Sequence, residues 1–108
     1  MKRIDQVFEN KKTKGLSAFI PYVTAGLPKP ESFGEVIAVL EQGGADIIEV
    51  GLPFSDPIAD GPVIQQASSR ALEMGISTKR TLELVSWVAP KTSCPIVLMT
   101  YVNPVLSM

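Results

Sequence analysis

Histidine is absent from the chain, and cysteine and tryptophan occur once each. Without imidazole, the Ser-His and Cys-His nucleophile pairs and the common zinc sites cannot be assembled, so acid–base work falls to carboxylates, tyrosine or lysine. A single cysteine, Cys94, cannot close an internal disulfide; beside the apolar run that starts at Pro95 it reads as a small packing residue. No apolar run approaches the length of a bilayer span, and the amino-terminal "MKRIDQVFENKKTKG" carries charges at nearly every turn where a signal peptide needs an apolar centre. Nor does one sign of charge dominate. Ten Lys and Arg against eleven Asp and Glu give a formal net charge of -1, which offers no electrostatic reason to seek nucleic acid or an anionic membrane. What remains is a chain of 108 residues, 45% apolar and 19% charged, which reads as one soluble globular unit over 1–108 and is expected in the cytoplasm.

Strand and helix signals alternate along it, with no low-complexity tract and no linker. Ile4, Val7, Phe8 and the stem of Lys11 fall on one face of a leading helix that Gly15 can end. "SAFIPYVT" is a short apolar strand in which Pro21 lacks one ladder donor. "KPESFGEVIAVLEQGG" has Pro30 in its first turn, Phe33, Val36, Ile37 and Leu40 on one face, and Gly43-Gly44 as its stop, so it reads as a well-capped helix. "ADIIEVG" is the second strand. "PVIQQASSRALEMG" is a short helix with Ile64, Ala67, Ala71 and Met74 in register, "STKRTLELVSWVAP" is a further helix starting at Ser77, and "CPIVLMTY" is the third strand.

Strands alternating with helices imply right-handed βαβ crossovers and a parallel sheet. A closed (β/α)₈ barrel typically takes about 250 residues. This chain supplies about three parallel strands with helices on one face, and "NPVLSM" looks like the start of another helix. The expected fold is therefore α/β, the amino-terminal part of a (β/α)₈ TIM barrel without its carboxyl-terminal part.

Alternation within such a strand places Ile47 and Glu49 on one face and Ile48 and Val50 on the other; the same period groups Ile20 with Tyr22 and Met99 with Tyr101. If the first set lines the barrel interior, Glu49 lies at the carboxyl end of its strand, where barrel enzymes hold catalytic groups, and "GLPFSDPIADGP" runs across the same mouth. Gly51 and Pro53 are read as turning the chain off the strand. Asp60 either caps the helix that begins at Pro62 or returns toward the mouth, two roles that are compatible. Asp56, in Ser55-Asp56-Pro57, is ordinary turn chemistry or a surface contact. For Glu49, no lysine or arginine falls near the mouth, and an unpaired carboxylate withdrawn from water is costly enough to point to function. On pattern alone Tyr22, Met99 and Tyr101 are core residues.

"IEVGLPFSDPIADGPVIQ", with "FIPYVTAGLP" before it and "PIVLMTYVNP" after it, closely resembles the tryptophan synthase α subunit family, and the likeness runs from the leading helix onward. The resemblance implies a barrel that cleaves indole-3-glycerol phosphate to indole and glyceraldehyde 3-phosphate in tryptophan biosynthesis. It implies no cofactor or metal in this chain, pyridoxal phosphate belonging to a partner β subunit. It assigns catalysis to Glu49 and Asp60. Indole C3 must be protonated before its bond to the glycerol carbon breaks, and partial removal of a carboxyl from water favours the proton-holding form that Glu49 needs. Asp60, in a polar loop near a helix N-terminus, is to stay ionised and take the N1-H hydrogen bond. By the same resemblance Tyr22, Met99 and Tyr101 become walls of the indole pocket, with Tyr22 where the family often has Phe, and Pro53, Asp56, Pro57 and Asn103 fall in the region that meets the β subunit. Length is the departure. The loops after the seventh and eighth strands, where such barrels commonly hold phosphate, have no counterpart here. The chain is accordingly expected to be a truncated lyase, inactive alone, with a non-catalytic assembly or β-subunit-binding module as the alternative. The open face of three strands is expected to drive homo-oligomer formation.

Overall fold

The computed structural model describes residues 4–53 and 62–99. Three strands, β1 (Tyr22–Thr24), β2 (Ile48–Gly51) and β3 (Ile96–Met99), form one sheet in the order β1-β2-β3, and both pairings are parallel. Four α-helices accompany them: α1 (Ile4–Lys14), α2 (Phe33–Gln42), α3 (Pro62–Glu73) and α4 (Thr78–Val88). Short 3₁₀ turns precede α2 at Pro30–Ser32 and follow α4 at Ala89–Lys91. Parallel neighbours require a crossover, and α2 and the α3–α4 pair provide the two that are needed.

The core lies between the sheet and α2, α3 and α4. Ile48 and Val50 of β2 are fully buried against Phe33 and Ile37 of α2, Ala71 of α3 and Leu84 of α4. Burying a side chain of the size of Phe33 or Ile37 contributes about 1.5–3 kcal/mol, so α2 is held by its apolar face more than by its ends. Those ends are unequal. Its C-terminus closes as the sequence implies, with Gly44 at φ 100° and the Ala45 N–H donating to the Leu40 carbonyl at 3.0 Å. At its N-terminus Ser32 makes no side-chain capping bond, because the Pro30–Ser32 turn leads into the helix in its place. In α4 the cap is real: the Ser77 hydroxyl accepts from the Arg80 N–H at 3.0 Å.

Several expectations need correction. On α1 only Val7 is buried; Ile4 is 42% and Phe8 48% exposed. The helix is tied down by Lys11 Nζ, 3.3 Å from Asp46 Oδ1, and the other Asp46 oxygen accepts the Phe19 N–H at 2.7 Å. α3 buries Ser68 with Ala71, while Met74, expected on the same face, is exposed beyond the end of the helix. The strands are shorter than their apolar runs. In β1 the regular ladder begins after Pro21, which has no N–H to give, although its carbonyl still accepts from the Glu49 N–H at 2.9 Å.

Candidate functional site

The centre of the sheet's second face is Glu49. Because Ile48 and Val50 are both drawn into the helix-covered core, alternation leaves Glu49 on the opposite side, and a slip of one residue would drive its carboxylate among the core hydrophobes. The register sets Tyr22 on one side of it and Val97 on the other; one step toward the carboxyl ends, Gly51 lies between Thr24 and Met99. Glu49, Tyr22 and Val97 are half-buried and Met99 is 45% exposed, so the row is open to a ligand. Ile47, expected on this face, is 2% exposed and adds nothing to its surface.

The ion pairs among the described residues, Lys11–Asp46 and Arg80–Glu83, do not include Glu49. A half-buried carboxyl group beside a phenol and two aliphatic side chains can exchange a proton with a molecule held against this face. Among the described residues no cluster of three or more metal-ligating side chains occurs. Nor is any described helix long and apolar enough to cross a membrane. A cavity of about 670 Å³ lies elsewhere, between α2 and α4, with Trp87 in its wall and the Lys91 ammonium 3.2 Å from the centroid of that ring. It belongs to the outer side of the helices and does not touch Glu49.

Gly51 has a different role from the one its sequence position suggests. It is the last residue of β2 and its φ is not positive, so it does not turn the chain. What it supplies is room: a Cβ at this position would sit 1.8 Å from the Tyr22 hydroxyl oxygen and 2.5 Å from Cζ. The phenol therefore crosses from β1 over the end of β2. A glycine two residues after Glu49, on the same face, was the only sign of this in the sequence. Beyond it the Leu52 N–H donates to the Met99 carbonyl at 2.8 Å, and Leu52 and Pro53 are buried. Pro53, expected in the region that meets a partner, is buried and presents little surface. Asp56, Pro57, Asp60, Tyr101 and Asn103 lie outside the described residues.

Comparison with known proteins is consistent across sequence and structure. The family model described as tryptophan synthase alpha chain matches residues 8–108. The tryptophan synthase alpha chain of Prochlorococcus marinus is 47% identical over 104 residues, which cover 96% of this chain and 39% of the relative. That of Deinococcus radiodurans is 50% identical over 105 residues, covering 97% and 38%. Among solved structures, tryptophan synthase subunit alpha from Legionella pneumophila superposes with a TM-score of 0.92 at 41% identity, over 99% of this chain and 41% of that one. A ligand-free tryptophan synthase from M. tuberculosis gives 0.88 at 36% identity, over 99% and 43%. The three parallel strands and their helices are thus part of a (β/α)₈ barrel, and the chain spans about two fifths of the length of the curated relatives it matches.

Proposed function

The chain belongs to the tryptophan synthase alpha chain family, and from that premise we propose that it contributes the catalytic acids for cleavage of indole-3-glycerol phosphate to indole and glyceraldehyde 3-phosphate, a lyase step of tryptophan biosynthesis. One observation carries the reading: Glu49 lies on the central strand two residues before its carboxyl end at Gly51, on the face turned away from the helices, between Tyr22 and Val97. Active sites of such barrels are built at that end.

In this reading the Glu49 carboxyl protonates indole C3, which places positive charge on the ring at N1. Asp60, as carboxylate, accepts the N1-H hydrogen bond and stabilises that charge. Glu49, now a carboxylate, takes the proton of the glycerol hydroxyl; the C–C bond breaks, its electron pair restores the indole ring, and the hydroxyl carbon leaves as the aldehyde. The proton given by Glu49 is returned to it. Protons and electrons balance within the substrate, so the reaction asks no cofactor of this chain. Tyr22 and Met99, with Tyr101, wall the indole. Pyridoxal phosphate belongs to a β subunit, which the region of Pro53, Asp56, Pro57 and Asn103 would meet.

The phosphate is held in barrels of this kind at loops after the seventh and eighth strands, and remote binding energy supports the chemical step. The 108-residue polypeptide by itself is therefore expected to release no measurable indole. A β-subunit-binding module without catalysis is the second reading, favoured by the two-fifths span of the match. Joining the chain to the remaining portion of the Legionella pneumophila relative separates the two. Turnover that Glu49→Gln lowers by about 10²–10⁴-fold, the range of general acid–base catalysis, supports the lyase reading. Asp60→Asn is expected to keep a low residual rate, since an amide still accepts a hydrogen bond. Full turnover by Glu49→Gln would remove Glu49 from the mechanism.

A further inference from the structure

We propose that Gly51 is a positioning residue of this site: its missing side chain is the space in which the Tyr22 ring lies, and residue size at 51 sets where that wall of the pocket stands. The proposal rests on the reading of this face as an indole site. By register Tyr22 pairs with Glu49, not with Gly51, so its ring has to lean along and across the sheet to reach the carboxyl end of β2. It does so closely enough that its hydroxyl oxygen, Cζ and Cε2 would lie 1.8, 2.5 and 2.9 Å from a Cβ on residue 51. Carbon atoms cannot approach so near, and the ring is the movable party. An alanine at 51 therefore displaces the phenol.

The backbone gives no second reason for glycine. The described glycines with positive φ are Gly15, Gly26, Gly44 and Gly75, and Gly51 is not among them. A strand residue with ordinary dihedrals accepts alanine, and the exchange is then neutral or stabilising because the unfolded chain loses freedom. Two opposed expectations follow. If the space belongs to the Tyr22 ring, Gly51→Ala is harmful while the ring is present and harmless once it is gone. If glycine serves the strand itself, the effect is the same with or without the ring.

The position also matters to a ligand. The ring covers the stretch of β2 immediately beyond Glu49, between the carboxyl group and the start of the following loop, while Val97 and Met99 bound the other side. Moving the phenol changes the width available to a planar ring held over Glu49.

The test is a double-mutant cycle with Gly51→Ala and Tyr22→Leu. In the 108-residue chain, proton NMR should show Gly51 Hα shifted upfield and in Overhauser contact with the Tyr22 ring, which Tyr101→Phe identifies, since the chain has two tyrosines. Gly51→Ala should lower the urea midpoint, and in the Tyr22→Leu background the same substitution should leave it unchanged or raise it. If Gly51→Ala does not fold, a folded double variant supports the proposal and an unfolded one counts against it. In the barrel completed with the Legionella pneumophila portion, Gly51→Ala should raise KM by about tenfold, the scale of a methylene-sized misfit, and by more than it lowers kcat. The absence of the Overhauser contact, or strictly additive effects of the two substitutions, overturns the proposal. A completed barrel without turnover, alongside an intact contact and coupled midpoints, would instead count against the lyase reading and leave the positioning role standing.

Discussion

Glu49 owes its place to its neighbours in sequence. Ile48 and Val50 have no exposed surface, and their burial against α2, α3 and α4 decides which way β2 faces. Under the proposed function, stability and chemistry fall to alternate residues of one four-residue strand. Ile48→Ala removes buried methyl and methylene groups and leaves a cavity, so urea denaturation of the chain should show a loss of about 2–5 kcal/mol. Glu49→Gln keeps the volume and the half-exposed position, and the same measurement should move by less than about 1 kcal/mol. If the two substitutions cost the same, the division of labour along β2 is wrong. The same pairing of opposites explains what a reader of the sequence can see here. The buried–open–buried alternation of residues 48–50 is legible because its period is local. That Ile47 is buried on the open side is not legible from that period.

Among the elements, the ends that a side chain makes for itself are the ones the sequence announces. Ser77 caps α4 with its own hydroxyl, while the Thr81 side chain, fully buried, donates to the Ser77 carbonyl at 2.9 Å. Loss of a cap of this type costs about 1 kcal/mol, so Ser77→Ala should lower the urea midpoint of the chain by that equivalent, and Ser77→Asp should largely retain it. An unchanged midpoint in Ser77→Ala would mean that Thr81 and the core alone hold the first turn. The Gly43-Gly44 stop of α2 was legible for a different local reason, the positive φ that glycine accepts at Gly44. The start of α2 was read one turn early, because Pro30 suits the first turn of the 3₁₀ segment Pro30–Ser32 as well as that of an α-helix. α1 misleads through its pattern: Ile4 and Phe8 have helical spacing with Val7, yet of the three only Val7 is buried. Strand lengths were overestimated because an apolar run marks burial, whereas a ladder also needs donors, and Pro21 has none. In the site itself the acid on the open face of β2 was legible, though two residues short of the strand end, and the role of Gly51 in making room for Tyr22 was not, since close approach across strands leaves no periodic trace.

As a whole molecule the chain has one covered sheet face and one that shows Tyr22, Glu49, Val97 and Met99, with β1 and β3 each unpaired along one side among the described residues. Unpaired edges and an apolar face together favour association, and purified 108-residue polypeptide is predicted to sediment as a dimer at micromolar concentration. A compact, cooperatively unfolding species that keeps monomer mass across that range would contradict this. Two long-range ties brace the amino ends of the strands. Asp46 binds both Lys11 and the Phe19 N–H, and Glu41 accepts from the hydroxyls of Thr92 and of Ser93, the latter at 2.8 Å. Their sequence positions give them an order in time. On a ribosome, which releases a chain from its amino end, the Asp46 tie can close as soon as β2 begins to emerge, whereas the Glu41 tie must wait for about fifty further residues. During that interval α1, β1 and α2 can settle around Asp46 while Glu41 waits for β3. A nascent chain halted once β2 has cleared the ribosome would therefore protect the Phe19 amide from hydrogen exchange before β3 has emerged.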